Sequence, residues 1–212
     1  TSSVSNSGTS FRRIRTLCLT RFLGIRYHYT LDLIKVNMEV TSLNTYIMKV
    51  LITGGAGFIA HHVIDHILSK TDWQIVTLDR LDESGNLNRL HDVLSSYPAD
   101  TRKRHRTVFH DLKAALNSQI TSNIGDIDIV LHLAAGSHVD RSITHPMEFV
   151  QDNVVGTVNL LNWAKNLKNL KKFVYFSTDE IFGVAPEGVS YKEYDRYNST
   201  NPYSASKAAA EE

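Results

Sequence analysis

Tyr203 and Lys207 stand four positions apart in a stretch that reads as helix, so their side chains share a face. A phenol with an ordinary pKa near 10 is a poor base at neutral pH. An ammonium beside it favours the phenolate, and so would the cationic ring of an oxidised nicotinamide. Lowering the phenol by about three units takes about 4 kcal/mol, which two close cations in a partly buried site can supply. Alone, such a pair is a common accident of a helix surface. Thr178, which follows an apolar strand-like run, and a glycine-rich turn at residues 54–57 argue against accident.

The turn reads Thr53-Gly54-Gly55-Ala56-Gly57-Phe58-Ile59-Ala60, between the apolar run Lys49-Val50-Leu51-Ile52 and an amphipathic segment. In that setting Gly54 and Gly57 let the backbone turn tightly and approach a pyrophosphate. Phe58 and Ile59 lead into a helix whose N-terminus favours negative charge. The bland reading of a lone glycine turn is an ordinary strand-to-helix connection. About twenty residues on, Asp79 closes the second apolar run, where a carboxylate can accept hydrogen bonds from both hydroxyls of an adenosine ribose. It would repel a 2′-phosphate by about 4 kcal/mol per unit charge at ~4 Å and an effective dielectric of ~20. Half of that still exceeds about a tenfold preference. NAD is therefore expected over NADP, and the adjacent Arg80 is the one residue that points the other way. Asp111 and Leu112 follow the third run, and Asp111 either approaches the adenine or caps a helix. Leu133, Ala134 and Ala135 end the fourth run with mostly small side chains, as a dinucleotide lying across strand carboxyl ends requires.

The elements that must position these residues begin at Met48. Strands are expected at Val50 to Thr53, Ile75 to Leu78, Arg106 to Phe109, Ile127 to Leu133 and Phe173 to Phe176. Helices are expected near Phe58 to Ser69, Leu87 to Ser96, Leu112 to Ile120 and Met147 to Leu167. Strands apolar on both faces, each followed by a helix, imply a parallel sheet covered on both sides: a doubly wound α/β, Rossmann-like domain over residues 48–212. Asn201-Pro202 opens a helix, and the sequence stops at Glu212 about three turns in with no C-cap signal, so it reads as a fragment. Residues 1–47 are rich in Ser, Thr and Arg, with no acidic residue before Asp32. They read as translated upstream sequence before a natural start at Met48, as a mitochondrial-type presequence, or as an unstructured tail.

The bulk properties exclude several classes. With 212 residues and a formal net charge of +1, the chain suits one well-cored domain and lacks the basic face of a nucleic-acid binder. The cluster Arg102 to Arg106 reads as a solvated turn before a strand. A single cysteine, Cys18, permits no intrachain disulfide and fits a reducing, cytoplasmic setting, with mitochondrial targeting as the alternative. No apolar run reaches the roughly 20 residues that span a bilayer; Leu17 to Ile25 is interrupted by Arg21 and Gly24. His62 and His66, with His61 and Asp65 nearby, have the spacing of a zinc pair, but no glutamate lies between them and no third ligand is evident, so no metal is expected. His132 reads as a hydrogen-bonded core residue.

Five runs carry a resemblance across residues 48–212. They are Ile52-Thr53-Gly54-Gly55-Ala56-Gly57-Phe58-Ile59; His132-Leu133-Ala134-Ala135-Gly136-Ser137-His138-Val139-Asp140-Arg141-Ser142; and Asn153-Val154-Val155-Gly156-Thr157. The others are Ser177-Thr178-Asp179-Glu180-Ile181-Phe182-Gly183 and Asn201-Pro202-Tyr203-Ser204-Ala205-Ser206-Lys207. The sequence resembles the extended short-chain dehydrogenase/reductase family, and within it the dTDP-glucose 4,6-dehydratases. The first and last runs are superfamily-wide; the Thr-Asp-Glu run separates activities. The departures are Gly136, where the family usually carries an acidic residue, and Ala60 and Phe182 in place of Gly and Tyr.

The resemblance implies that Tyr203 takes a proton from a sugar 4-hydroxyl while NAD oxidises C4, with Thr178 bonded to the same oxygen and Lys207 to the nicotinamide ribose. Glu180 would then remove the acidified C5 proton, Asp179 would protonate the departing 6-hydroxyl, and hydride would return to C6. Elimination needs such a pair, one carboxylate as base and one carboxylic acid as donor. Ser137, His138 and Asn153 are the implied substrate contacts. The implied partners are a nucleotide sugar and, at full length, a second copy, with the substrate lobe lying beyond Glu212. A 4-epimerase or decarboxylase of the same family shares Tyr203, Lys207 and NAD, but an epimerase needs no acid pair; a non-catalytic NAD-binding module is the alternative of another class.

Overall fold

A computed structural model describes residues 46–212. Five parallel strands form one sheet in the order β3-β2-β1-β4-β5: β1 (Lys49–Thr53), β2 (Gln74–Asp79), β3 (His105–Phe109), β4 (Ile129–His132) and β5 (Lys172–Tyr175). The helices between them are α1 (Ala60–Lys70), α2 (Leu87–Ser95), α3 (Ala99–Arg102), α4 (Ser118–Ile124), α5 (Val139–Thr144), α6 (Pro146–Phe149) and α7 (Gly156–Ala164), and α8 (Pro202–Glu211) follows β5. This is the doubly wound architecture that the apolar runs imply. The alternation within β1 explains the two layers. Val50 and Ile52 pack with Ile64 and Ile67 of α1 and Leu90 of α2, whereas Leu51 faces a second core with Val130, Ile124 and Leu160. A strand buried on both faces cannot sit at a solvated surface, which places β1 in the middle.

The chain winds outward from β1 to β3 and then returns to β4 on the other side of β1. Thr53 and His132 pair at the carboxyl ends of β1 and β4, the reversal point where open α/β sheets form a ligand crevice. His132 is fully buried there, with Nδ1 2.7 Å from Thr53 Oγ1 and Nε2 2.9 Å from Thr157 Oγ1. Thr157 gives its proton to the Asn153 carbonyl at 2.6 Å, so Nε2–H donates to Thr157 and Nδ1 accepts from Thr53. Burial, with the Lys207 charge, holds His132 down to about 3. It is a neutral structural residue.

Three expectations shift. The helix expected near Leu112 begins only at Ser118, because Asp111 Oδ1 accepts from Lys113 N–H at 2.9 Å and Asn117 caps α4 through Ile120 N–H at 2.9 Å. The long helix expected from Met147 is α6 and α7 joined by a π-helical turn, Val150–Val155, which includes the Asn153 carbonyl that receives the Thr157 hydroxyl. The folded part also reaches back beyond Met48: Tyr46 O–H donates to Asp128 Oδ1 at 2.5 Å and its ring lies 4.3 Å below the Lys171 ammonium. The rest of the N-terminal segment, with Cys18 and the run Leu17 to Ile25, lies outside the described residues. Among the described residues no helix is long and apolar enough to cross a membrane.

Candidate active site

The glycine turn is built by contacts that exclude side chains. Gly54 has φ +70°, and a Cβ on it would lie 3.0 Å from the backbone of Ala134. Its N–H donates to Leu78 O at 2.8 Å, joining the turn to β2. A Cβ on Gly55 would lie 2.4 Å from Thr77 Cβ. The Gly55→Ala protein is therefore expected to lose about 1–3 kcal/mol of stability through overpacking. Thermal unfolding checks this, and an unchanged midpoint would mean that the turn is not held against Thr77.

Phe58 and Ile59 follow, 65% and 50% exposed. Ile59 gives α1 no side-chain cap, so no cap side chain satisfies the first N–H groups of this 11-residue helix, an end that favours negative charge. Asp79 has a role that its spacing did not disclose. Its Oδ2 accepts from Ala56 N–H at 2.9 Å and its Oδ1 from Leu81 N–H at 2.7 Å, pinning the turn to β2. Each oxygen keeps a second lone pair for a further donor.

On the far side of the crevice, α8 carries Tyr203 and Lys207. Asn201 caps the helix by accepting from Ser204 N–H at 2.8 Å, and Pro202 occupies its first turn. Lys207 is 3% exposed; its Nζ donates to Phe176 O at 2.5 Å and lies 4.2 Å from the Tyr175 ring centre. Burial holds the ammonium down to about 8, and Glu211 opposes that shift. Tyr203 is partly exposed; its N–H donates to Ser142 Oγ at 3.1 Å and its ring meets Phe149 edge-on at 6.4 Å.

The acid pair lies beside this helix. After β5, Thr178 opens a single 3-10 turn, Asp179–Phe182, with its hydroxyl accepting from Glu180 N–H at 3.3 Å. Ile181 and Phe182 are buried against Ala208 of α8, which turns Asp179 outward into solvent. Glu180 Oε2 accepts from Asn201 Nδ2 at 3.1 Å, only two residues before Tyr203. Phenol, ammonium, hydroxyl and two carboxylates therefore sit on two segments joined by a direct hydrogen bond.

Residues 51–212 match the family model of GDP-mannose 4,6 dehydratase. The chain belongs to this family. It is 41% identical over 180 residues to the dTDP-D-glucose 4,6-dehydratase of Dictyostelium discoideum, covering 78% of this chain and 39% of that protein. It is 38% identical over 183 residues to the dTDP-glucose 4,6-dehydratase of Salmonella typhimurium, covering 77% and 48%. A dTDP-glucose 4,6-dehydratase from Streptomyces venezuelae, solved with NAD and TYD bound, superposes with a TM-score of 0.68 at 34% identity, over 77% of this chain and 49% of that one. A UDP-glucose 4-epimerase from Bifidobacterium longum, in complex with NAD+ and UDP, gives a TM-score of 0.65 at 28% identity, over 77% and 47%. The chain spans less than half the length of these curated dehydratases.

Within this dehydratase-family fold, the other expected contacts divide. Leu133, Ala134 and Ala135 lie half-buried, the first two against Gly54, and Ser137 and His138 are exposed before α5. Burial pushes the Asp111 carboxyl up, but the Lys113 N–H and the Arg80 and Lys113 cations outweigh this and hold it below the usual range. Leu112 points into the core against Gly156, which leaves the open edge of that loop to Asp111. Asn153 does not face a substrate. It is 1% exposed, its Oδ1 accepts from Gly136 N–H at 2.7 Å, and its Nδ2 donates to Gly136 O and Ser206 Oγ at 3.0 and 2.8 Å. Its amide is used up in clamping the loop after β4 to α8. Ser142, to which sequence reading gave no role, and Asn201, read there only as opening the helix, are further ties that orient α8. Tyr191 and Tyr197 pack on Phe182 at 5.5 and 5.4 Å, so they brace the turn locally.

Proposed function

We propose that the whole protein is an NAD-dependent nucleotide-sugar 4,6-dehydratase acting on dTDP-glucose or UDP-glucose. The observation that supports this reading is the bond from Asn201 to Glu180, which ties the segment carrying the acid pair to the start of the helix carrying Tyr203. An epimerase has no use for two adjacent acids there. The glycine turn, the uncapped start of α1, Asp79 and Lys207 would hold NAD, with Asp111 at the adenine. When bound, NAD would supply oxidation at C4, which acidifies the C5 proton, and the same hydride would be given back at C6 after water has left.

The chain's own residues do the rest. Tyr203 takes the 4-hydroxyl proton, with the buried Lys207 ammonium favouring the phenolate, and Thr178 bonds the same oxygen. Glu180 removes the C5 proton, and Asp179 gives a proton to the 6-hydroxyl as it leaves. Ser137 and His138, exposed in the loop after β4, would contact the sugar. Ile143, Met147, Val150 and Val158 are exposed apolar residues on and between α5 and α7, which a second copy of the full-length chain would cover. The reading places the protein in the cytoplasm.

The test is to incubate the full-length protein separately with dTDP-glucose and UDP-glucose. A 4-keto-6-deoxy product is expected from one of them. A galactose-configured product would establish epimerisation instead.

A further inference from the structure

Arg80 follows Asp79 at the carboxyl end of β2, a place from which an arginine can receive the 2′-phosphate of NADP. Here its guanidinium is held by carboxylates. Nη1 and Nη2 reach the two oxygens of Asp152 at 2.5 and 2.8 Å, and Nε and Nη2 reach Asp82 Oδ2 at 2.9 and 2.7 Å. Asp111 Oδ2 lies 3.7 Å from Nη1, and Lys113 Nζ lies 3.4 Å from Asp111 and 3.8 Å from Asp152. Two cations thus face three carboxylates, with Asp79 a fourth alongside. The Asp152 bond, followed by that to Asp82, raises the guanidinium above its usual range against the opposing effect of burial.

Asp152 is built to stay. Its side chain is 11% exposed, and its neighbour Asn153 clamps the π-helical turn to Gly136. Gly136 is what leaves room for it. A Cβ there would lie 3.6 Å from Asp152 Oδ2 and 3.2 Å from the Phe149 ring, so a longer side chain would enter the space that the Asp152 carboxylate fills.

We infer that Asp152, assisted by Asp82, is a cofactor-specificity residue that occupies Arg80 and so denies it to a 2′-phosphate. A phosphate arriving there loses its cation and meets surplus negative charge. This rests on the reading of the crevice as a dinucleotide site.

The experiment measures binding of NAD and of NADP by calorimetry to the full-length protein, without sugar. Asp152→Asn is expected to raise affinity for NADP relative to NAD by about tenfold or more, the scale of one charge-assisted contact. Asp82→Asn should move the ratio the same way by less, and adding Arg80→Ala to Asp152→Asn should abolish the gain. An unchanged ratio in folded Asp152→Asn overturns the inference, as does a gain that survives the loss of Arg80. If Asp152→Asn fails to fold, Asp82→Asn decides, and an unchanged ratio there overturns it. Wild-type protein that binds neither dinucleotide would refute the cofactor reading itself, a separate outcome.

Discussion

Full-length Tyr203→Phe protein is expected to turn over its nucleotide sugar about 10³-fold more slowly, within the range of roughly 10²–10⁴ for loss of a general acid–base group. KM should change little. The substitution removes one hydroxyl and leaves the ring, so the edge contact to Phe149 survives. The bond from the residue 203 N–H to Ser142 Oγ is a backbone bond and survives as well. Lys207, still buried and bonded to Phe176 O, would have no phenol to favour. Steady-state kinetics check this. A fall in kcat of less than about tenfold would mean that another group moves the 4-hydroxyl proton.

The second large effect separates the two carboxylates. Glu180→Gln keeps the shape of the side chain and an oxygen for Asn201 Nδ2, now 3.1 Å away, but it cannot accept the C5 proton. Turnover should drop by about 10²–10⁴, and exchange of the C5 hydrogen with solvent should vanish. Asp179→Asn should slow turnover comparably while C5 exchange persists, since its loss blocks only the departure of the 6-hydroxyl. NMR of the sugar in deuterated buffer distinguishes the two variants. Persistent C5 exchange in Glu180→Gln would remove Glu180 from the role of base.

Much of this arrangement was legible in the sequence because the signals are local. Val50, Leu51 and Ile52 announce a strand buried on both faces, and the glycine turn follows it directly. Tyr203 and Lys207 share a face by spacing alone. What was not legible depends on partners far along the chain. Asn153 looked available for a sugar, but its amide meets Ser206, 53 positions away. Arg80 looked like an argument for NADP until Asp152, 72 positions on, was seen to hold it. The segment after Asp111 carried helix-forming residues, yet side-chain bonds from Asp111 and Asn117 delayed the helix to Ser118. Asn201 read as a helix cap, and only the fold shows that its other end holds Glu180.

The most direct test of the central claim uses the full-length protein and its nucleotide sugar in deuterium oxide. If Glu180 and Asp179 carry out elimination beside Tyr203, the 4-keto-6-deoxy product will carry solvent deuterium at C5. A product with no deuterium at C5, or a sugar merely inverted at C4, would contradict it.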